Sequence, residues 1–209
     1  MSVIKLSEIT LQKVLRDAVE KLNKGCIIAY PTETYYGLGA KFDIEESLKK
    51  IYYLKKRPLE RALPLIIGEK GLLSELTIEI NHMAHICMDA FWPGPLTLVL
   101  PAKEHLSGYI TAGTHKVAVR IPGNSFALSL ASASGFPITA TSANPSGLPP
   151  ATDAATILQY FGNEIDLIID GGPAPGGLPS TIVDVTDDNM IILREGAVKK
   201  ELLTILLRR

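Results

Sequence analysis

Apolar positions along this chain change period repeatedly, and each change marks an element. Leu11, Val14, Leu15, Ala18, Val19 and Leu22 recur at helical spacing ahead of Gly25, which predicts an amphipathic helix over about 10–23. The apolar run 26–30, bounded by Gly25 and Pro31, reads as a buried strand. Helical period returns at Ile44, Leu48, Ile51 and Tyr52, with Asp43 and Glu46 spaced as a capping box, and runs to about Leu54. Residues 63–67 form a strand candidate closed by Gly68. Ile80, Met83, Ala84, Cys87, Met88 and Phe91 make a further helical stripe, broken by Trp92-Pro93-Gly94-Pro95.

Beyond that break, 96–100 and 117–121 are β-rich, 125–133 is helical, and 138–141 is a short strand. Thr152 is placed to cap a helix over 153–161, and 167–170 is a strand. Residues 181–185 and 190–194 read as closing strands, and 198–207 as a basic amphipathic helix. Strands and helices interleave without repeat or linker. The expectation is one α/β domain over residues 1–209, a twisted open mixed sheet with flanking helices.

Composition narrows the class. With 209 residues, 46% hydrophobic and 21% charged, the chain suits one sizeable core in a soluble globular protein. A net charge of −1 argues against coating nucleic acid through an overall field, but leaves room for a local basic site. No apolar run approaches a membrane span, and the first residues lack a leader pattern. Cys26 and Cys87 sit in apolar contexts and read as buried thiols, which suits a reducing cytoplasm.

Polar, small-residue loops follow three strand candidates, at 31–39, 141–147 and 171–180. Open α/β sheets place ligands at such strand ends, and Gly37 and Gly39 would let the backbone approach a ligand or turn sharply. Lys55, Lys56, Arg57 and Arg61 form the densest basic cluster, beside Lys49 and Lys50. They fit either a solvated helix end or a polyphosphate clamp. Arg120 and Arg194 end apolar strands, where a charge must be exposed or partnered. The chain has no phosphate loop and no dinucleotide fingerprint. Ser142 is not framed as a nucleophile elbow, and His82 and His85 lack a fourth ligand for zinc.

Read together, the motifs are more specific. Pro31-Thr32-Glu33-Thr34-Tyr35-Tyr36-Gly37-Leu38, Lys55-x-Arg57-Pro58, Trp92-Pro93-Gly94-Pro95-Leu96-Thr97 and Val117-Ala118-Val119-Arg120-Ile121-Pro122 occur in order. Ser142-Ala143-Asn144-x-Ser146-Gly147, Ser180-Thr181-Ile182-Val183-Asp184 and Leu193-Arg194-x-Gly196 complete the set. From about residue 10 to 197 the chain resembles the YrdC/TsaC family of threonylcarbamoyl-AMP synthases.

That resemblance implies a twisted α/β sheet around an electropositive cavity. It implies joining L-threonine, bicarbonate or CO2, and ATP into L-threonylcarbamoyl-adenylate, with release of pyrophosphate. The product would pass to threonylcarbamoyl-transferase proteins that modify tRNA. By motif match, Thr34, Arg120 and Ser180 would hold threonine, Arg120 at its carboxylate. Lys55 and Arg57 would be the catalytic cations, and Arg57, Arg61, Ser142, Asn144 and Arg194 would contact ATP. Mg2+ would accompany the triphosphate without a dedicated carboxylate cage. Three departures stand out: Arg61 replaces a common Lys, Ile66 replaces a His of several relatives, and the chain resembles the family's short form. The rival readings are a module binding double-stranded RNA or tRNA, and a paralogue performing a related carbamoyl or adenylyl transfer.

Overall fold

Segment 138–142 belongs to two sheets and joins them. The structure is a computed structural model describing residues 1–187 and 189–206. Its first half contains β1 (Ser2–Lys5), α1 (Leu11–Asn23), β2 (Ile28–Pro31), β3 (Tyr36–Gly39), α2 (Glu45–Lys55), β4 (Leu65–Ile66), α3 (Leu73–Leu76), α4 (His82–Phe91) and β5 (Leu96–Pro101). There follow α5 (Gly108–Thr111), β6 (Lys116–Arg120), α6 (Phe126–Ser134), β7 (Ile138–Thr139) and β8 (Thr141–Ser142). The chain continues through α7 (Ala154–Phe161), β9 (Leu167–Asp170), β10 (Thr181–Asp184), β11 (Ile191–Arg194) and α8 (Lys200–Leu206).

One sheet runs β1-β9-β2-β3-β8 and the other β11-β10-β5-β6-β4-β7. Both are mixed: β2 lies parallel to β9 and antiparallel to β3, while β5 lies parallel to β10 and antiparallel to β6. The mixed α/β class expected from the sequence is present, with its strands divided between two sheets. β7 pairs with β4, and β8 pairs with β3, so one extended segment changes sheets within a few residues. A bridge between Lys41 and Ile138 adds to this seam.

Alternation along the strands divides the core. Ile27 and Ala29 enter the larger apolar cluster with Leu38, Leu65, Leu98 and Val119. Ile28 and Tyr30 point the other way, into a cluster roofed by Val14, Leu15, Ala18 and Leu22 of α1 and by Phe126 and Leu130 of α6. The predicted helical stripe of α1 is thus the face that it buries.

Several local expectations change. β1 has no apolar periodicity and three of its four residues are exposed, so only pairing with β9 makes it a strand. β3 lies within the stretch read as loop. Gly37 and Gly39 serve packing: a Cβ on Gly39 would stand 2.8 Å from the Tyr30 ring, and one on Gly37 3.1 Å from it. The buried Tyr30 hydroxyl then donates to Thr139 O at 3.1 Å. The capping box before α2 does not form, since Ile44 precedes that helix and Asp43 instead approaches Lys41 at 3.5 Å. α7 is capped by Asp153, whose carboxylate accepts from Thr156 N at 2.7 Å, in place of Thr152. The last helix was expected to reach residue 207, which lies outside the described residues.

Candidate active site

The three polar loops converge. Ser142 pairs with Gly37, and Ala143 N donates to Tyr36 O at 2.8 Å, which sets 141–147 against 31–39. The 171–180 loop joins from the other side: Gly176 N donates to Thr34 O at 2.8 Å, and Tyr35 Oη donates to Gly177 O at 3.1 Å. Tyr36 secures both, donating its hydroxyl to Gly172 O at 2.7 Å while accepting from Gly171 N at 3.0 Å. The sequence treated Tyr36 as part of a motif and gave no hint of this bridging part.

Lys55 ends α2 almost fully buried, at 2% exposure. Its Nζ donates to Ser142 O and to Asn144 O, the latter at 2.7 Å, and Ser146 N returns a bond to Lys55 O at 2.6 Å. No carboxylate pairs with it among the described residues. Burial, and then the nearby Arg57 charge, lower its ionisation to about 7. Two carbonyls need two N–H donors, which the neutral amine also has, so the clamp holds in either form. Asn144 is likewise occupied: Oδ1 accepts from Ser142 Oγ at 2.5 Å, and Nδ2 donates to Leu148 O at 2.6 Å and Pro145 O at 3.0 Å. Only Ser142 of this trio is exposed.

The basic loop turns at Lys56, which adopts the left-handed region at φ 47. Arg57 folds back on its own loop, donating from Nε to Arg61 O at 2.8 Å and from Nη2 to Ala62 O at 2.6 Å. Tyr52 shares this task, its hydroxyl lying 2.6 Å from Arg61 O and 2.9 Å from Tyr109 O, with the Arg57 guanidinium 5.9 Å from its ring. Tyr52 read in the sequence only as an apolar helix position. The Arg61 side chain is exposed. Outside this loop an open hollow of about 500 Å³ is lined by Glu45, Leu59, Glu60 and Tyr109. Its acidic lining has the wrong sign for a polyphosphate.

Arg120, at the end of β6, makes an ion pair with Glu33, whose second oxygen accepts from Ser125 Oγ at 3.4 Å. The strand-end arginine is therefore partnered, as the cost of an unpaired buried charge requires. At the edge of the same sheet, Arg194 of β11 donates from Nη2 to Ser180 O at 2.7 Å and to Ser180 Oγ at 3.2 Å. Ser180 Oγ also lies 2.9 Å from Thr97 Oγ1, a hydroxyl that the sequence offered only as the end of a motif, with no role assigned. Strand register brings the two arginines to one end of this sheet, since Ile182 pairs with both Arg194 and Thr97, and Leu98 pairs with Val119. Desolvation, and then the positive charge of Arg120, hold Arg194 below the ordinary guanidinium value. Thr34 Oγ1 lies 3.4 Å from Thr32 Oγ1. Ile66 is buried in the smaller core cluster, 1% exposed.

Among the described residues no group of three or more His, Cys, Asp or Glu side chains is placed to hold a metal, and no helix is long and apolar enough to cross a membrane. What the three loops bring together is donors and positive charge: Lys55, Arg120 and Arg194, with hydroxyls at Thr34, Thr97, Ser142 and Ser180, while Arg57 is held within its own loop. Such a loop cluster at the strand ends of an α/β protein suits an anionic ligand.

The Sua5/YciO/YrdC family model, described as telomere recombination, matches residues 20–196, and the chain belongs to that family. A threonylcarbamoyl-AMP synthase of Bacillus subtilis is 41% identical over 188 residues, 90% of this chain and 54% of that protein. A protein of the same name from Vibrio cholerae is 34% identical over 184 residues, 87% of this chain and 97% of its own. This chain thus spans about half the length of the first relative and nearly all of the second. The structure of Pyrococcus abyssi Sua5 complexed with L-threonine superposes with a TM-score of 0.92 at 38% identity, over 99% of this chain and 61% of that one. Escherichia coli YciO gives 0.83 at 27% identity, over 96% and 97%.

Proposed function

We propose that this chain makes L-threonylcarbamoyl-adenylate from L-threonine, CO2 or bicarbonate, and ATP, releasing pyrophosphate, with about residues 10–197 as the catalytic unit. The observation that carries this reading is the gathering of Lys55, Arg120 and Arg194 around three converging polar loops, in a chain 41% identical to a protein of that name. In this reading threonine's neutral amine adds to CO2, giving a carbamate and one proton. A carbamate oxygen then attacks the α-phosphorus of ATP, and the bond to the leaving pyrophosphate breaks.

Such a step asks for placement and charge stabilisation rather than a protein nucleophile. Lys55 holds the 142–144 turn and so sets the exposed Ser142 hydroxyl beside the nucleotide. Arg57 and Tyr52 hold the 56–62 loop that carries Arg61 toward the phosphates. Thr34, Arg120 and Ser180 take the amino acid, and Arg194 reaches the nucleotide past Ser180. Mg2+ would enter on the triphosphate: the described residues do not fit a protein cage for it, because no three of their His, Cys, Asp or Glu side chains gather at one place. The adenylate would pass to a threonylcarbamoyl-transferase protein acting on tRNA. Two free thiols suit a reducing cytoplasm.

Pyrophosphate release from ATP and Mg2+, with threonine and bicarbonate withheld singly, tests the reading. Release that requires both, and falls when serine or valine replaces threonine, is expected. Folded protein that releases none, yet binds RNA with a steep salt dependence, would move the assignment to an RNA-binding module. Release with another amine in place of threonine would move it to a related carbamoyl or adenylyl transfer.

A further inference from the structure

Among the described residues Glu33 is the carboxylate that pairs with one of these cations, and its geometry leaves it half free. One oxygen takes a single N–H group of Arg120, from Nη1, and the other accepts from Ser125 Oγ at 3.4 Å. Each carboxylate oxygen can accept a further donor, and a guanidinium carries five N–H groups of which the structure commits one here. Neither side chain is sealed away: the Glu33 side chain is 22% exposed and that of Arg120 13%. The pair therefore presents an unused acceptor edge beside an unused donor edge, with no net charge.

The other cations differ. Among the described residues Arg57 and Arg194 bond to backbone carbonyls and a hydroxyl and neither pairs with a carboxylate. The site thus divides by charge. One end holds uncompensated cations suited to polyphosphate, and the other a compensated pair on which a polyanion gains little.

Resting on the threonine-adenylating reading above, we propose that Glu33 is a specificity-determining residue which, with Arg120, selects a zwitterion: its carboxylate receives the ammonium of an α-amino acid whose carboxylate lies on Arg120. A simple carboxylate would meet Arg120 but face the negative charge of Glu33, and a phosphate would face it more strongly. The α-amino acid alone brings a cation for Glu33 and an anion for Arg120.

Calorimetric titration of the whole chain with L-threonine, N-acetyl-L-threonine and ATP–Mg2+ tests this. N-acetyl-L-threonine keeps the carboxylate and loses the ammonium, and a site that accommodates an N-carboxylated product has room for its acyl group. Wild-type protein is expected to prefer threonine by at least about tenfold. Glu33→Gln should remove that preference by weakening threonine, while N-acetyl-L-threonine, no longer facing a carboxylate, binds as well as or better than to wild type and ATP–Mg2+ stays within about twofold. Glu33→Gln binding threonine as well as or better than wild type would make Glu33 a competitor for Arg120 and overturn the proposal. Equal weakening of both amino-acid ligands would reduce it to a prop for Arg120 and also overturn it. If the variant does not fold, wild-type protein binding N-acetyl-L-threonine as tightly as threonine is overturning by itself. Wild type that binds no threonine and releases no pyrophosphate removes the parent reading as well, whereas turnover with unaltered Glu33→Gln selectivity removes only this one.

Discussion

Lys55 Nζ lies 2.7 Å from the carbonyl oxygen of Asn144, 89 residues further along the chain, and this contact ties the end of α2 to the loop after β8. A nearly buried ammonium without a carboxylate partner makes stability depend on pH. Its ionisation falls from an ordinary value of 10.5 to about 7, so between those values the folded chain binds fewer protons than the unfolded one. The penalty is fully present below pH 7 and is relieved as pH rises through the window. Chemical denaturation at pH 7 and again near pH 10 should show Lys55 adding up to about 1.4 kcal/mol of stability per pH unit. Lys55→Met should lack that contribution. A variant with the same slope as wild type would mean that Lys55 keeps an ordinary ionisation.

Arg57 has two separable parts, a staple on its own loop and a positive charge. Arg57→Ala removes both, and should cost about 1–2 kcal/mol of stability and roughly a hundredfold in pyrophosphate release. Tyr52→Phe loosens the same loop without touching charge, by removing the hydroxyl from Arg61 O and Tyr109 O. It should cost a similar amount of stability with a much smaller loss of rate. Equal rate losses in the two variants would mean that Arg57 acts only by shaping the loop.

Asn144 has all of its side-chain polar atoms engaged, whereas Ser142 is exposed. Asn144→Ala strands Ser142 Oγ and the carbonyls of Pro145 and Leu148, and should lower stability by about 2 kcal/mol together with ATP affinity. Ser142→Ala should lower ATP affinity with less than about 0.5 kcal/mol of stability lost. Thermal melts and nucleotide titration of both variants separate the two. A stability loss at Ser142 as large as that at Asn144 would contradict the division.

Gly39 makes room for the Tyr30 ring, so its substitution should harm packing and leave chemistry alone. Gly39→Ala is expected to cost about 1–3 kcal/mol, with activity per folded molecule retained. Loss of threonine affinity in a normally stable Gly39→Ala protein would return the glycine to the ligand side.

The elements were largely legible because helix and strand periods are local. The α1 stripe, the β2 run and the break at Trp92-Pro93-Gly94-Pro95 each follow from neighbours a few residues apart. β1 was not legible, since its exposed residues carry no period and its strand character comes from β9, far away in sequence. The failed capping box at Asp43 and the shift of the α7 cap from Thr152 to Asp153 show the opposite limit. Several nearby polar side chains could cap, and the approach of the chain selects among them.

By itself the sequence determined the α/β class, the cations and polar loops available for chemistry, and the ordered motifs that mark the family. Tertiary structure decided which of those groups meet. Glu33 finds Arg120 87 residues away, Lys55 finds Asn144, and segment 138–142 divides its pairing between two sheets. A side chain's spacing along the chain limits only its local neighbours. Long-range partners are set by which packing buries both apolar faces of β2 and β4 while leaving each buried charge and hydroxyl bonded.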